Sequence, residues 1–291
     1  MKKKIILGIH QYGRPLEIAR LNALLYDDAI GVLRALLSYQ NDDGGFGKGL
    51  EPDQQSPFSS PIQSWYAMLI LKQTHFDPSM PMMARLFDYL LNTLDLETKR
   101  WPLYSKHAMD YPHAPWWTYK EDFQTQNPTA AILGFIARFC SKNHPLYHKI
   151  PVLLEEAFLH LNQTYMTMDM HELRCYIECL DDLRLSNYSY SNHDEMKKSV
   201  LTRLDHLLEK DPYQWKTSYG AKPSFFLTQQ HSFILKDYRD WLIKEWTYTR
   251  QSLEKEGFWD PPFSWGNAEA DRIWKATILY EHLYLGKLLN M

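Results

Sequence analysis

Apolar residues recur every three to four positions along almost the whole chain, and strictly alternating runs of the kind that build half-buried strands are nearly absent. That period predicts helices over about 15–25, 27–39, 61–74, 79–94, 128–141, 146–164, 170–184, 194–209, 224–233, 236–254 and 268–288, with room for a short twelfth between 104 and 126. The expected fold class is all-α. Several helix starts carry capping chemistry. Ser60-Pro61-Ile62-Gln63 offers a serine N-cap, a proline at the first helical position and a glutamine at the third, the outline of a capping box. Asn127-Pro128-Thr129 repeats the cap-then-proline order, and Asp169-Met170-His171-Glu172 has the box outline with an acid at each end. Capping alone thus accounts for Asn127 and Glu172 before any catalytic role.

The links between these helices alternate in length. Short ones near 26, 75–78, 143–145, 185–193 and 234–235 alternate with long aromatic ones at 40–60, 95–127, 210–223 and 255–267, and only the short link near 165–168 breaks the order. "DDGGFG", "KRWPLY", "DPYQWKTSYG" and "EGFWDPPFSWGN" stand in the long links, so the chain reads as a degenerate repeat of helix hairpins with a period of about 50 residues. No Pro/Gly/Ser-rich linker or low-complexity tract divides the 291 residues, which predicts a single domain over 1–291.

Charge and composition narrow the partners. A formal net charge of -3 supplies no basic excess to neutralise a phosphate backbone, and no Lys/Arg stripe with interleaved aromatics is present, so no nucleic-acid partner is expected. The start "MKKKIILGIH" has a cationic end but an apolar run of only about five residues, shorter than the roughly 7–15 of a secretory signal, which predicts a cytoplasmic protein. The longest apolar run, 130–140, contains Arg138 and falls short of the roughly 20 residues needed to span a bilayer. No transmembrane segment is therefore expected, and peripheral membrane contact is left open. An odd count of three cysteines fits a reducing compartment better than a disulfide framework. His171, Cys175 and Cys179 recur at i, i+4 and i+8 on one helix face without a fourth ligand at motif spacing, so they read as core residues, and neither a metal nor any other cofactor is expected.

In "QNDDGGFG", Gln40, Gly44 and Phe46 match a Gln-x3-Gly-x-Trp core with Phe in place of Trp, while Gly257 and Trp259 match only its final part, Leu253 standing where the glutamine belongs. This turn resembles the repeat shared by squalene and terpenoid cyclases and by the β subunits of protein prenyltransferases. The stretch "DRIWKATILYEHLYLGKLL" from Asp271 is similar to the helix that follows the last such turn in that family. The resemblance, carried by about a quarter of the chain, implies an (α/α)6 toroid, a barrel of about twelve helices in two concentric layers. It does not bring the family's chemistry with it. The Asp-x-Asp-Asp acid of the cyclases and the Asp-x-Cys zinc pair of the prenyltransferases are absent, and neither Asp27-Asp28, Asp42-Asp43 nor Asp181-Asp182 continues as Asp-Asp-x-x-Asp. Asn187, Ser191 and Glu195 have the spacing of a second magnesium motif, but in a polar link and without the first motif.

In such a toroid the long links share one rim, where helix N-termini favour an anionic ligand group and Lys48, Lys106, Lys120 and Lys216 could add to the field. Glu51 and Asp53 stand out because Ser60 already caps the next helix. A carboxylate at the mouth of an aromatic cavity has its pKa raised by desolvation, as a general acid needs; alternatively each pins its own loop. His171 and Asp122 are further catalytic candidates. Trp116, Trp117, Tyr119, Trp215, Trp259 and Trp265, with Asp211, are candidates for binding substrate, since aromatic walls stabilise carbocations or stack on sugar rings. The expected function is binding of a small-molecule substrate, an isoprenoid or other hydrophobe, in a central aromatic cavity, with a cyclase-type reaction using a carboxylic acid. Alternatives are a carbohydrate-active hydrolase, lyase or epimerase with paired carboxylates, or a non-catalytic binding toroid.

Overall fold

A computed structural model describes residues 2–121, 123–258 and 260–291, so Asp122 and Trp259 lie outside the described residues. Among these, the secondary structure is helical, with isolated bridges but no strand. The helices are α1 (Lys2–Tyr12), α2 (Pro15–Tyr26), α3 (Ala29–Leu37), α4 (Pro61–Lys72), α5 (Pro81–Thr93), α6 (Thr129–Phe139), α7 (Ile150–Thr164), α8 (Met170–Leu185), α9 (His193–Leu207), α10 (Gln214–Thr217), α11 (Phe233–Asp237), α12 (Arg239–Glu256) and α13 (Ala268–Leu289). The chain divides into two compact units, one of Met1–Tyr39, Leu71–Phe76 and Leu208–Met291, the other of Gln40–Ile70 and Asp77–Leu207.

In the second unit two kinds of helix alternate along the chain. α4 is buried on every side from Pro61 to Ile70, α6 from Thr129 to Ala137, and α8 from Cys175 to Leu183. Between them, α5, α7 and α9 each bury one stripe, such as Met196, Val200 and Leu204 on α9, and show the rest to solvent. Packing runs both within and between the two kinds, α6 also meeting α7 and α8 meeting α9. α6 lies chiefly on α8, the next helix of its own kind, and α7 contacts α9. Gly134 permits the α6–α8 approach, because a Cβ there would stand 2.7 Å from the Cα of Cys179.

The first unit brings α1, α2 and α3 together with α12 and α13. α1 packs on α13, α2 on both α3 and α13, and α12 on α13. Ile5, Ile9, Leu21, Leu253, Leu279, Tyr280 and Tyr284 form its core, each large aliphatic side chain contributing about 1.5–3 kcal/mol by burial. Arg20 is buried beside this core, its guanidinium 4.0 Å from the Tyr280 ring centre and donating to Gln73 Oε1 at 3.0 Å.

Four local expectations need correction. "MKKKIILGIH", which precedes the first expected helix, is itself an amphipathic helix, with Ile5 and Ile9 one turn apart in the core and the lysines in water. The helix expected over 224–233 is a 3-10 turn at Pro223–Phe226 and the short α11, because Ser232 accepts from Ile234 N–H at 3.2 Å and starts a new helix there. The 27–39 helix begins only at Ala29, since Asp27 is left-handed (φ 61°) and Asp28 caps through Gly31 N–H at 3.1 Å. Asn127 is no cap: α6 starts at Thr129, and the Asn127 Oδ1 instead accepts from Cys175 Sγ at 3.5 Å.

Candidate functional site

The 40–60 link is built around Gln40. Its side-chain amide donates to Gly44 O at 2.9 Å and Met82 O at 3.0 Å, and its oxygen accepts from Arg85. Gly44 holds φ 90° against the Arg85 carbonyl, where a Cβ would lie 2.1 Å from that oxygen. Phe46 is fully buried, and its N–H donates to Ser64 Oγ at 3.0 Å. The glycine-rich octet is therefore a structural turn held against α4 and α5.

Beyond that turn the link becomes a buried polar layer. Ser60 caps α4 through Gln63 N–H at 3.3 Å, but the Gln63 side chain does not complete the capping box: it accepts from Leu50 N–H at 2.9 Å and approaches Gln54 Oε1 at 3.4 Å. Gln54 Oε1 also accepts from Ser60 Oγ at 3.1 Å. Glu51 and Asp53 lie within this layer, 5% and 3% exposed. The backbone here pairs with the 94–128 link, Ala114 N–H donating to Asp53 O at 2.8 Å and Gln55 N–H to Pro112 O at 3.0 Å.

α8 supplies the other acids. Asp169 caps it through the N–H groups of His171 (2.7 Å) and Glu172 (3.0 Å). Glu172 turns away from capping: its Oε1 accepts from Gln126 N–H at 2.6 Å and lies 2.8 Å from His160 Nε2. Glu178, Asp181 and Asp182 are fully buried, with Arg174 Nε at 3.6 Å, Arg184 Nη2 at 3.4 Å and Arg138 Nη1 at 2.9 Å respectively. The Arg174 guanidinium lies 5.5 Å from the Trp65 ring centre, which joins α8 to α4. Gln126 is fully buried, with both side-chain amide atoms outside any hydrogen bond among the described residues. Burial pushes the His171 imidazole below its ordinary value.

Removing a carboxylate from water costs several kcal/mol even when it is paired, and an apolar residue of similar volume would serve a purely structural interior as well or better. A row of buried acids and amides with partly exposed guanidinium partners is thus the feature of the second unit that packing alone does not explain. Trp116, Trp117 and Tyr119 lie in the same link as Ala114, around the Pro115–Trp117 turn. Trp116 is 41% exposed, Trp117 meets Tyr104 edge-on at 6.4 Å, and Tyr119 lies under Lys106 Nζ at 4.8 Å. Trp215, Trp265 and Asp211 belong to the first unit. Trp215 is a core anchor, fully buried, its Nε1 donating to Glu209 O at 2.8 Å; Asp211 is exposed and accepts from Tyr213 N–H at 3.0 Å, a local turn bond; Trp265 is half-buried.

Sequence reasoning passed over Trp65, Gln126, Arg174 and Glu178. The one available signal was α8 itself, where Leu173, Tyr176, Ile177, Leu180 and Leu183 form an apolar stripe and the acids occupy the face a surface helix would give to water. Among the described residues, no group of three His, Cys, Asp or Glu side chains could hold a metal ion, and no helix is long and apolar enough to cross a membrane. In comparisons with family models, curated proteins and solved structures, the chain matches none.

Proposed function

We propose that the protein is an α/α toroid of the terpenoid-cyclase and prenyltransferase kind that binds a polyhydroxylated, carbohydrate-class substrate in the polar layer beside α8 and acts on it through carboxylate acid–base chemistry. Support for the ring comes from the alternation of wholly buried and half-buried helices, from the packing of α6 on α8 and of α7 on α9, and from the packing of α1 against α13. The substrate class rests on one observation: Glu178, Asp181 and Asp182 are fully buried in a row on α8. A chamber shaped for an isoprenoid, the class the resemblance implies, needs an apolar lining, whereas sugar hydroxyls exchange hydrogen bonds with carboxylates, amides and guanidinium groups. In this reading Glu51 and Asp53 serve as acid and base, the α8 acids with Arg174 and Gln126 orient hydroxyls, and Trp116 offers an exposed face for stacking. The burial of Cys140, Cys175 and Cys179 as thiols supports a reducing, cytoplasmic setting.

Ligand-observed NMR on the full chain tests the proposal, with neutral and uronic-acid oligosaccharides set against farnesyl diphosphate and squalene. Saccharide binding is expected, lost in Glu178→Gln and retained in Glu51→Gln, which loses turnover instead. Binding of the isoprenoids alone overturns it.

A further inference from the structure

The first unit has a shallow, open recess of its own between α12, α13, α10 and the 257–267 link. Leu253, Phe258, Ile278 and Leu279 give it an apolar wall, and Lys216, Lys222 and Lys275 contribute three cations against the single carboxylate of Asp260. His282 adds no charge at neutral pH. It stacks on Trp246 with ring centres 5.5 Å apart and planes 5° from parallel, and burial, reinforced by Arg250, pushes its pKa down to about 4.

Two of the lysines can receive an anion. Lys222 is half-buried and in no ion pair among the described residues; Glu245, the acid whose charge acts on it, directs its oxygens to Ser224 N–H at 2.7 Å and Ser224 Oγ at 2.6 Å. Lys275 is 20% exposed and holds Asp260 at 2.7 Å, yet Asp260 itself is 86% exposed. An ion pair with one partner in water is worth at most about 1 kcal/mol, so a better-placed carboxylate can displace it. Asp260 shows which ligand chemistry this corner accepts.

We propose that this recess binds a small organic carboxylate with an apolar body, an aryl- or alkyl-alkanoate, whose carboxylate bridges Lys222 and Lys275 in place of Asp260 while its body rests on Leu253, Phe258 and Leu279. The site is independent of the polar layer beside α8, and either can fail without the other. Calorimetric titration of the full chain with phenylacetate, its neutral counterpart 2-phenylethanol and acetate tests it. Phenylacetate is expected to bind at least about tenfold more tightly than either comparator, since one removes the charge and the other the apolar body. Lys222→Met should weaken phenylacetate about tenfold, and Asp260→Asn should tighten it several-fold by removing the internal competitor. Asp260→Asn changes only an exposed side chain, so it decides the matter even where Lys222→Met folds poorly. No phenylacetate binding, equal binding of either comparator, or unchanged affinity in Asp260→Asn overturns the proposal.

Discussion

Replacing Gly134 by alanine sets two opposed effects against each other in the middle of α6. Propensity alone favours alanine over glycine inside a helix by about 1 kcal/mol. The tertiary contact opposes it: the new methyl would lie 2.7 Å from Cys179 Cα, 3.1 Å from Asp182 Cβ and 3.2 Å from Cys179 O. Ordinary contacts begin near 3.4 Å, so α6 and α8 must separate by about 0.7 Å, and overpacking of this kind costs about 1–3 kcal/mol. The nearest atoms belong to backbone rather than to a flexible side-chain end, which puts the cost in the upper part of that range. The net expectation is a destabilisation of about 1–2 kcal/mol, or a melting temperature lower by about 2–8 °C for a chain of this size. Urea titration followed by far-ultraviolet circular dichroism measures it, with tryptophan fluorescence in parallel because two compact units need not unfold together. A variant more stable than the parent by about 1 kcal/mol would refute the close α6–α8 approach.

Two further outcomes follow from the charged interior and the buried imidazole. Arg138→Met takes the nearest guanidinium from fully buried Asp182 and should cost about 2–3 kcal/mol, less than for a wholly enclosed pair because Arg138 reaches water; adding Asp182→Asn should recover most of the loss in a urea titration. His282 stays neutral in the native state down to about pH 4, while the unfolded chain takes up a proton near pH 6.5. The unfolded state therefore binds more protons between those values. Stability contributed by the neutral imidazole is complete above about pH 6.5 and falls by up to about 3 kcal/mol on acidification to about pH 4. His282→Phe keeps the stack on Trp246 and should flatten the pH dependence by that amount; an unchanged slope in unfolding titrations would count against a buried His282.

Helix content was readable from periodicity because most of these helices carry an apolar stripe with a regular spacing, as Met196, Val200 and Leu204 do on α9. α1 was missed for a local reason: three lysines beside an apolar run of only about five residues leave too little helical period to read, and only α13 makes sense of Ile5 and Ile9. The stretch 224–233 failed differently. Phe226 and Leu227 stand seven residues before Phe233 and Ile234, a spacing that mimics one helical face, but Ser232 caps a new helix there, and Thr228 and Gln229 between them are buried polar residues that no propensity places. Asp169 was legible as a cap because capping depends on neighbours three residues away. Gln63 and Glu172 were not, since their partners Leu50 and Gln126 lie 13 and 46 residues distant. The α8 acids follow the same logic. Their residue types suit a solvated helix face, and only packing on both sides turns Glu178 and Asp181 into interior charges.

The packing of α1 on α13 ties the order of folding to the order of synthesis. A ribosome releases Ile5 and Ile9 long before Leu279, Tyr280 and Tyr284, so the apolar face of α1 stays without its native cover while more than 250 residues are made. The unit assembled from Gln40–Ile70 and Asp77–Leu207 meets no such delay, since all its segments emerge before α12 and α13. The nascent chain therefore passes through a stage in which the polar layer can be complete while the sticky face of α1 is shielded only by transient contacts or by a chaperone. The lysines that lead α1 keep that waiting segment soluble.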